Sequence, residues 1–108
     1  MASLPFRGQQ PEISPESAQM NFGLVVLQPG QDFPAHYHEI MEENFFVLEG
    51  ELEIHIDGEI FSCREGDFIH VEPKKVHYLV NKGKEVFKGA FMLAPYQIKD
   101  KVDVDYRP

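Results

Sequence analysis

The stretch Gly30–Gly50, GQDFPAHYHEIMEENFFVLEG, places two histidines and several acidic residues between two glycines. Residues two apart in a β-strand point to the same side, so His36 and His38 can bind one ion together. A second stretch, Gly66–Asn81, GDFIHVEPKKVHYLVN, carries another histidine in a comparable setting. Metal sites are built from neutral nitrogens and carboxylate oxygens that converge from separate parts of a chain. The four candidate metal ligands are His36, His38, Glu43 and His77.

Glu43 requires a change of direction in the chain. Its odd offset from His38 would place the two side chains on opposite faces of one continuous strand. The intervening residues 39–42, EIME, must therefore bend or bulge for the carboxylate to turn inward. The alternative is that Glu43 is a surface residue, one of the acidic residues that crowd between Glu39 and Glu49.

The two stretches resemble the paired sequence motifs of the cupin family. The first motif is G, five residues, H-x-H, four residues, E, six residues, G, and residues 30–50 fit it without a gap. The second is G, five residues, P-x-G, two residues, H, three residues, N. Gly66, His77 and Asn81 fit it at the expected separations. A lone H-x-H is a weak signal, whereas two motifs in tandem that share four potential ligands are a specific one.

Two positions of the second motif depart from the family pattern. Glu72 stands where a proline is expected, with Pro73 one step late, and Lys74 stands where the second glycine is expected. Glycine reaches positive φ at little cost, and lysine does not. Because of these departures, the sequence does not determine the shape of the loop before His77. The spacing of the candidate ligands is unchanged.

The resemblance implies an all-β domain folded as a double-stranded β-helix, or jelly roll, as in small single-domain cupins. It also implies one divalent transition-metal ion held inside the barrel by the four candidate ligands, and a bend that turns Glu43 inward at this spacing. Three imidazoles and a carboxylate suit Fe, Mn, Zn, Ni, Cu and Co, and the ligand set alone does not choose among them.

The composition limits the classes of function. A length of 108 residues suits one domain, and 43% hydrophobic residues with nine phenylalanines predict a packed core. A net charge of −8 argues against nucleic acid and anionic membranes as partners, because both attract clustered lysine and arginine. No apolar run reaches the length of a membrane span, and the first ten residues lack a secretory pattern. The single cysteine fits a reducing compartment, so we expect a cytoplasmic protein.

Short β-rich runs separated by turn residues predict a sandwich or barrel, which the motif resemblance narrows to the jelly roll. Asp57-Gly58 between two such runs predicts a tight hairpin. We divide the chain into an N-terminal arm at 1–19, a barrel at 20–94 and a polar C-terminal tail at 95–108, which could pack on the barrel or on a partner. The predicted strands are Met20–Gln28, Phe33–His38, Asn44–Glu49, Glu51–Ile56, Glu59–Cys63, Asp67–Glu72, Val76–Val80 and Val86–Ala94.

The alternation of residue types predicts which strand faces are covered. In Glu51–Ile56, aliphatic side chains share one face while Glu53 and His55 belong to a wet outer face. Residues 44–49 and 89–94 are apolar on both faces, so their outer face needs a cover. We expect that cover from an isologous homodimer. The alternative is that the chain's own termini supply it.

The remaining conspicuous residues have simpler interpretations. We expect His55 to be a solvated strand residue and His70 to lie on the barrel wall or surface, although His70 could reach the cavity rim. Cys63 is interpreted as a small buried hydrophobe, Tyr37 as a side chain that points away from the metal, and Asn81 as a turn former.

The ligand cavity should be mostly apolar. The candidate lining residues are Phe45, Val47, Phe91 and Met92, and Lys88 is the one cation that could point inward. The metal would then be the main electrostatic anchor. It would hold a small molecule that chelates through a carboxylate, hydroxyl or carbonyl and rests on an apolar wall.

Three functional hypotheses follow. The first is a metal-dependent enzyme of oxygenase, isomerase or lyase type that acts on a small oxygenated metabolite. The second is a non-catalytic module that senses or stores a small molecule through the same metal. The third, a metal-free structural barrel, is the least favoured because the ligand quartet is intact. A general base outside the metal shell would favour the enzyme, and His70, Glu72 and Tyr78 are the only ambiguous candidates.

Overall fold

A computed structural model describes residues 19–108, which form nine β-strands and no α-helix. All eight predicted strands are present, with bounds that differ by up to two residues. The predicted arm, except Gln19, lies outside the described residues. The strands are β1 (Asn21–Leu27), β2 (Asp32–His38), β3 (Glu42–Glu49), β4 (Glu51–Ile56), β5 (Glu59–Arg64), β6 (Phe68–Val71), β7 (His77–Val80), β8 (Phe87–Ala94) and β9 (Lys101–Asp103).

The strands form two antiparallel sheets. One has the order β1-β8-β3-β6 and the other the order β5-β4-β7-β2-β9. The chain crosses from one sheet to the other at every connection except the hairpin between β4 and β5. This is the predicted double-stranded β-helix, and it brings residues distant in sequence to a common interior.

Glycines fix two of the turns. Asp57 and Gly58 have φ values of 49° and 86°, the pair of positive angles that a tight two-residue hairpin requires, so the predicted turn is confirmed. Gly50 joins β3 to β4 with φ of 80°. A Cβ there would lie 2.5 Å from the carbonyl oxygen of Val86, so both conformation and space demand glycine.

The hydrophobic core lies between the two sheets, and its residue Phe45 packs edge-on against the His77 ring. It combines the inward residues of both sheets, as strand alternation predicts. Cys63, predicted to be a small buried hydrophobe, is part of it. The largest fully buried apolar side chains are Phe87, Ile54, Leu79, Val47 and Val71.

The outer face of β4 corrects the prediction for His55, which is 1% exposed rather than solvated. One ring nitrogen bonds to the Glu53 carboxylate at 2.6 Å and the other to the Tyr106 hydroxyl at 2.7 Å. The ring of Tyr78 packs edge-on against the His55 ring. The cover comes from the C-terminal segment, which alternation along β4 itself could not reveal.

The C-terminal segment also contains β9, a strand that the sequence analysis missed. It pairs with β2 and extends the five-stranded sheet at its edge. Within residues 19–108, no helix is long and apolar enough to cross a membrane.

The outer face of the four-stranded sheet is apolar, and no other segment of residues 19–108 covers it. The inward residues Phe45 and Val47 of β3 are buried, while their outward neighbours Phe46 and Leu48 are exposed. Exposed apolar residues on the same sheet include Phe22, Leu24, Val26 and Phe68.

Candidate metal centre

The four predicted ligands come together in the interior. One ligand atom from each of His36, His38, Glu43 and His77 lies within 4.8 Å of all the others, and all four residues are buried. The chain thus holds a buried cluster of three histidines and one glutamate that could accommodate a metal ion. Three strands supply the ligands. β2 carries His36 and His38, β7 carries His77, and β3 carries Glu43.

An irregularity in β2 directs its histidines inward. The register against β7 shifts between Phe33 and His36. Residues three apart in a regular strand point to opposite faces, and a bulge changes that parity. Phe33 can therefore pair with Leu79 while His36 lies directly across from His77, all on the inner face. His38, two residues later, shares that face.

Glu43 reaches the cluster from the opposite sheet, because the chain bends between β2 and β3 as predicted. Asp100 holds this bend. Its carboxylate accepts the backbone N–H of Ile40 at 3.0 Å and of Met41 at 2.9 Å. Its backbone carbonyl accepts the N–H of Glu39 at 3.2 Å. Asp100 lies in the predicted polar tail, and no signal in the sequence marked it as a buried residue that supports the site.

Backbone carbonyls set the orientation of two imidazole rings. The Nδ1–H of His36 donates to the carbonyl of Pro34 at 2.8 Å, and the Nδ1–H of His77 donates to that of Lys75 at 3.0 Å. In a neutral imidazole only one nitrogen carries a proton. Each ring therefore presents an unprotonated Nε2, with its lone pair free, to the interior. This is the tautomer that metal ligation requires.

The three Nε2 atoms converge on one oxygen. Glu43 Oε1 lies 2.9 Å from Nε2 of His77, 3.3 Å from that of His38 and 4.0 Å from that of His36. A lone pair on neutral His77 would face a carboxylate lone pair at hydrogen-bond distance unless a proton or a metal ion lies between them. In addition, His38 Nδ1 is buried and has no hydrogen-bond partner among the described residues. The donor set therefore fits a bound cation.

The ionisation of the cluster also suits a cation. Burial lowers the pKa of His36 to about 4, against the opposing effect of its hydrogen bond to Pro34. This ring is neutral near pH 7. Burial would raise the pKa of Glu43, but the contacts of its carboxylate with the His38 and His77 rings outweigh that effect and bring the pKa down to about 2. The carboxylate is therefore ionised.

The loop before His77 contains a left-handed residue at the position where the family motif has its second glycine. Lys74 has φ of 71°, in the left-handed region, although it carries a side chain. Its backbone N–H donates to the carbonyl of His38 at 2.7 Å. The lysine therefore adopts a positive φ itself, and this hydrogen bond ties the loop before β7 to the end of β2.

A cavity of about 400 Å³ opens next to the cluster. Phe45 and Phe91 line it, as predicted, together with Phe33. Val47 lies in the core instead, and Met92 is not among the lining residues. The remaining lining residues are Asn21, Leu24, Val25, Val26, His36, His38, Glu43, Leu79, Leu93 and Lys101.

Lys88, the one cation that the sequence allowed to point inward, does not do so. Lys88 is on the outer side of β8 and pairs with Glu49 at 3.3 Å. The cation at the cavity is Lys101 of β9, whose ammonium lies 5.5 Å from the centre of the Phe33 ring. Sequence reasoning missed it because β9 is short and polar and lies in the predicted tail.

The other candidates have structural surroundings. His70 is on the surface, where its Nδ1 lies 2.7 Å from Asn44 Oδ1. Tyr37 alternates with the two β2 ligands and points away from the cluster. Asn81 is confirmed as a turn former: its side-chain oxygen accepts the N–H of Gly83 at 2.9 Å, and its amide donates to the carbonyl of Leu27.

Comparisons with known proteins agree with this geometry. The family described as "Cupin domain" matches residues 23–92. Polyketide synthase CurC from Streptomyces cyaneus is 36% identical over 73 residues, which are 68% of this chain and 47% of that protein. Quercetin 2,3-dioxygenase from Bacillus subtilis is 43% identical over 42 residues, 39% of this chain and 12% of that protein. The chain spans about half the length, or less, of these two curated relatives.

A solved structure shares the fold. An uncharacterised conserved protein with a double-stranded β-helix domain from Klebsiella pneumoniae superposes with a TM-score of 0.77 at 24% sequence identity. The superposition covers 83% of this chain and 78% of that one. At this identity the likeness concerns the fold alone.

Proposed function

The chain belongs to the cupin domain family, and from this premise we propose that it binds one divalent transition-metal ion through His36, His38, Glu43 and His77. We further propose that the ion holds a small oxygenated metabolite in the adjacent cavity and promotes its chemical conversion. The observation that carries the proposal is the convergence of three imidazole nitrogens on one buried carboxylate oxygen.

The charge of the cluster supports this role. Three neutral imidazoles and one carboxylate would leave a divalent ion with a net charge of about +1. Ions that take six ligands would keep two positions for water or for substrate oxygens. A bound ion of this kind supplies Lewis-acid polarisation of a substrate oxygen, a more acidic bound water, or reaction with O₂ when the metal is redox-active.

The cavity supports an aromatic or otherwise apolar ligand that carries metal-binding oxygens. Three phenylalanines, Phe33, Phe45 and Phe91, contribute flat apolar surface beside the cluster. Its volume of about 400 Å³ is near the lower end of the usual range for small-molecule sites, so a ligand of one or two rings is appropriate. The names of the relatives, a polyketide synthase and a quercetin dioxygenase, point to the same class of oxygenated metabolite.

A non-catalytic binding or sensing module is the second candidate. The observation that favours it is the scarcity of proton-transfer groups: apart from the cluster, Asn21 and Lys101 are the only polar residues among those described that line the cavity. Of the three general-base candidates from the sequence, His70 and Glu72 line a different surface groove, and the hydroxyl of Tyr78 donates to Asp32 at 2.7 Å. Any proton transfer would have to use the cluster, Lys101 or the substrate itself.

Ligand binding and turnover separate the two candidates. We expect catechol and 3,4-dihydroxybenzoate to raise the melting temperature of the metal-loaded protein and to leave that of the chelator-treated protein unchanged. Oxygen consumption or loss of the compound, followed by product analysis, would identify an enzyme. Stabilisation without turnover would favour the binding module. If no oxygenated compound in a broad metabolite set stabilises the metal-loaded form, the proposed ligand class is wrong.

A further inference from the structure

The edge strand β9 presents charged side chains beside the candidate metal ligands. Lys101 lies directly across from His38 in the antiparallel ladder, and Asp103 lies across from His36. Residues directly opposite one another in such a ladder project to the same side of the sheet. Both charged residues therefore belong to the cavity side of the sheet, next to the ligand-bearing face of β2.

The position of the Lys101 ammonium can be traced through two aromatic contacts. It lies 5.5 Å from the centre of the Phe33 ring, and that ring lies 5.7 Å from the centre of the His36 ring. The Phe33 ring thus lies near both the Lys101 ammonium and the His36 ring, and all three residues line the same cavity. A ligand of one or two rings that is held at the cluster can therefore extend along Phe33 to Lys101.

The partner that Lys101 already has is a weak one. Its ammonium lies 3.7 Å from Asp103 Oδ1, and the side chain of Asp103 is 81% exposed. An exposed ion pair of this kind contributes little to stability and can be exchanged for another anion. The Lys101 side chain is itself 47% exposed, so it can adjust to a ligand. Among residues 19–108, it is the only lysine or arginine that lines this cavity.

We propose that Lys101 is a specificity-determining residue that binds an anionic group, such as a carboxylate, at the end of the ligand remote from the metal. The inference rests on the proposed function, since it assumes a ligand held by the metal ion. The ligand would then carry metal-binding oxygens at one end, an apolar or aromatic body against Phe33, and a negative charge at the other end. In a protein of net charge −8, a cation that lines the cavity favours an anionic ligand over a neutral one.

Two probes that differ by one carboxylate test the inference: catechol, and 3,4-dihydroxybenzoate. The parent protein is loaded with its metal, the metal content is measured, and the Kd of each probe is determined by calorimetry. We expect Lys101→Met to raise the Kd of 3,4-dihydroxybenzoate roughly tenfold, because a charge-assisted contact at a half-exposed site is lost. The Kd of catechol should not change. Asp103→Asn removes the carboxylate that competes for Lys101. It should lower the Kd of 3,4-dihydroxybenzoate and leave that of catechol unchanged.

Lys88→Met is the matched control, since Lys88 is also 47% exposed and paired with one acidic residue, but on the outer face. It should change neither Kd. Equal Kd values for 3,4-dihydroxybenzoate in the parent and in Lys101→Met, or an equal loss for both probes, would overturn the role of Lys101 while leaving the proposed function intact. A parent that takes up no metal, or binds neither probe when metal-loaded, would overturn the proposed function and this inference together.

Discussion

Each of two site histidines is oriented by the carbonyl two residues before it in the chain. His36 donates to Pro34, and His77 donates to Lys75. Because both contacts are local, the strand that carries the ring also selects the tautomer that leaves Nε2 unprotonated. The residues that must meet a cation are therefore arranged before any cation arrives, which reduces the cost of ordering them on binding.

The low pKa of His36 predicts a pH-dependent stability for the metal-free protein. Its folded-state pKa is about 4 and its ordinary value is 6.5, so between these values the unfolded chain binds a proton that the folded protein does not. Stability should therefore fall as the pH is lowered from 6.5 to 4, on the order of 2 to 3 kcal/mol. Glu43, with a pKa of about 2 against 4.5, adds a loss that begins below pH 4.5. Urea unfolding of the metal-free protein at a series of pH values measures both.

Two variants identify the source of that pH dependence. His36→Gln should reduce the slope between pH 6.5 and 4, because the titrating ring is gone. His70→Gln, at an exposed histidine, should leave the slope as in the parent. A metal-free parent with the same free energy of unfolding at pH 6.5 and pH 4 would contradict the burial-induced shift of His36.

Lys74 carries a conformational cost that a glycine would remove. Its φ of 71° is left-handed, which disfavours a residue with a Cβ by roughly 1 to 2 kcal/mol. Replacing Lys74 by glycine would remove this cost, but glycine loses more backbone entropy on folding, which offsets part of the gain in stability. Lys74→Gly should therefore raise the free energy of unfolding by up to about 1 kcal/mol. Lys75→Gly, at a neighbour without a positive φ, should lower it; if both substitutions destabilise equally, the strain at Lys74 is refuted.

The sequence predicted the ligand quartet but not what supports it. Strand periodicity and a specific motif identify His36, His38 and His77 as ligands. The need for a bend before Glu43 follows from its odd separation from His38, because residues an odd number apart in one strand point to opposite faces. The bulge between Phe33 and His36 and the burial of Asp100 depend on pairings between strands far apart in the chain. Such pairings leave no local pattern in the residues involved, so these features could be found only in the folded structure.

Among the structural elements, the turn after β8 has a direct effect on the site. Asp100 accepts backbone N–H groups of the bend that carries the chain from β2 to β3. The bend sets the direction in which Glu43 enters the cluster. A contact between the C-terminal segment and the β2–β3 connection thus helps to position a metal ligand from outside the metal shell.

Asp100→Ala should weaken metal binding without removing any ligand. The backbone N–H groups of Ile40 and Met41 would lose their buried acceptor, at a cost of roughly 1 to 3 kcal/mol. We expect a lower free energy of unfolding and a metal Kd raised about 10-fold, in the range typical of outer-shell substitutions. Asp105→Ala, at an exposed carboxylate in the same segment, is the control. A metal Kd for Asp100→Ala equal to that of the parent would show that the bend is fixed without this contact.

The properties of β9 explain why the sequence predicted a polar tail rather than a strand in the C-terminal segment. It is three residues long, alternates charged residues with one valine, and follows a run of polar residues. Only its pairing with the edge of β2 gives it a regular structure. The correction for His55 has the same origin, since its partner Tyr106 belongs to this segment.

At the scale of the whole molecule, the apolar outer face of the four-stranded sheet requires an explanation. Phe22 and Phe68, on the two edge strands, are 62% and 60% exposed. Residues 1–18, MASLPFRGQQPEISPESA, offer only four large apolar side chains to cover it. The same apolar face on a second copy of the chain offers a larger apolar surface than residues 1–18 to cover this sheet. A twofold contact would cover both faces at once. We therefore propose a homodimer through this sheet.

The molar mass in solution tests the homodimer. Size-exclusion chromatography with light scattering should give twice the chain mass of 12.4 kDa for the parent. Phe22→Lys combined with Phe68→Lys should give a monomer, because charges would be buried in the contact. Ile60→Lys, at a residue 58% exposed on the other sheet, should remain dimeric. A monomeric parent would contradict the dimer and leave the N-terminal segment as the cover.

The metal content of the purified protein tests the central claim most directly. Elemental analysis of protein prepared without added metal, then titrated with Fe(II), Mn(II) and Zn(II), should reach about one ion per chain. His77→Ala should lose most of this binding, since it removes one ligand, while the exposed His70→Ala should bind like the parent. A parent that takes up none of these metals, or a His77→Ala variant that binds as tightly as the parent, would contradict the assignment of the cluster as a metal centre.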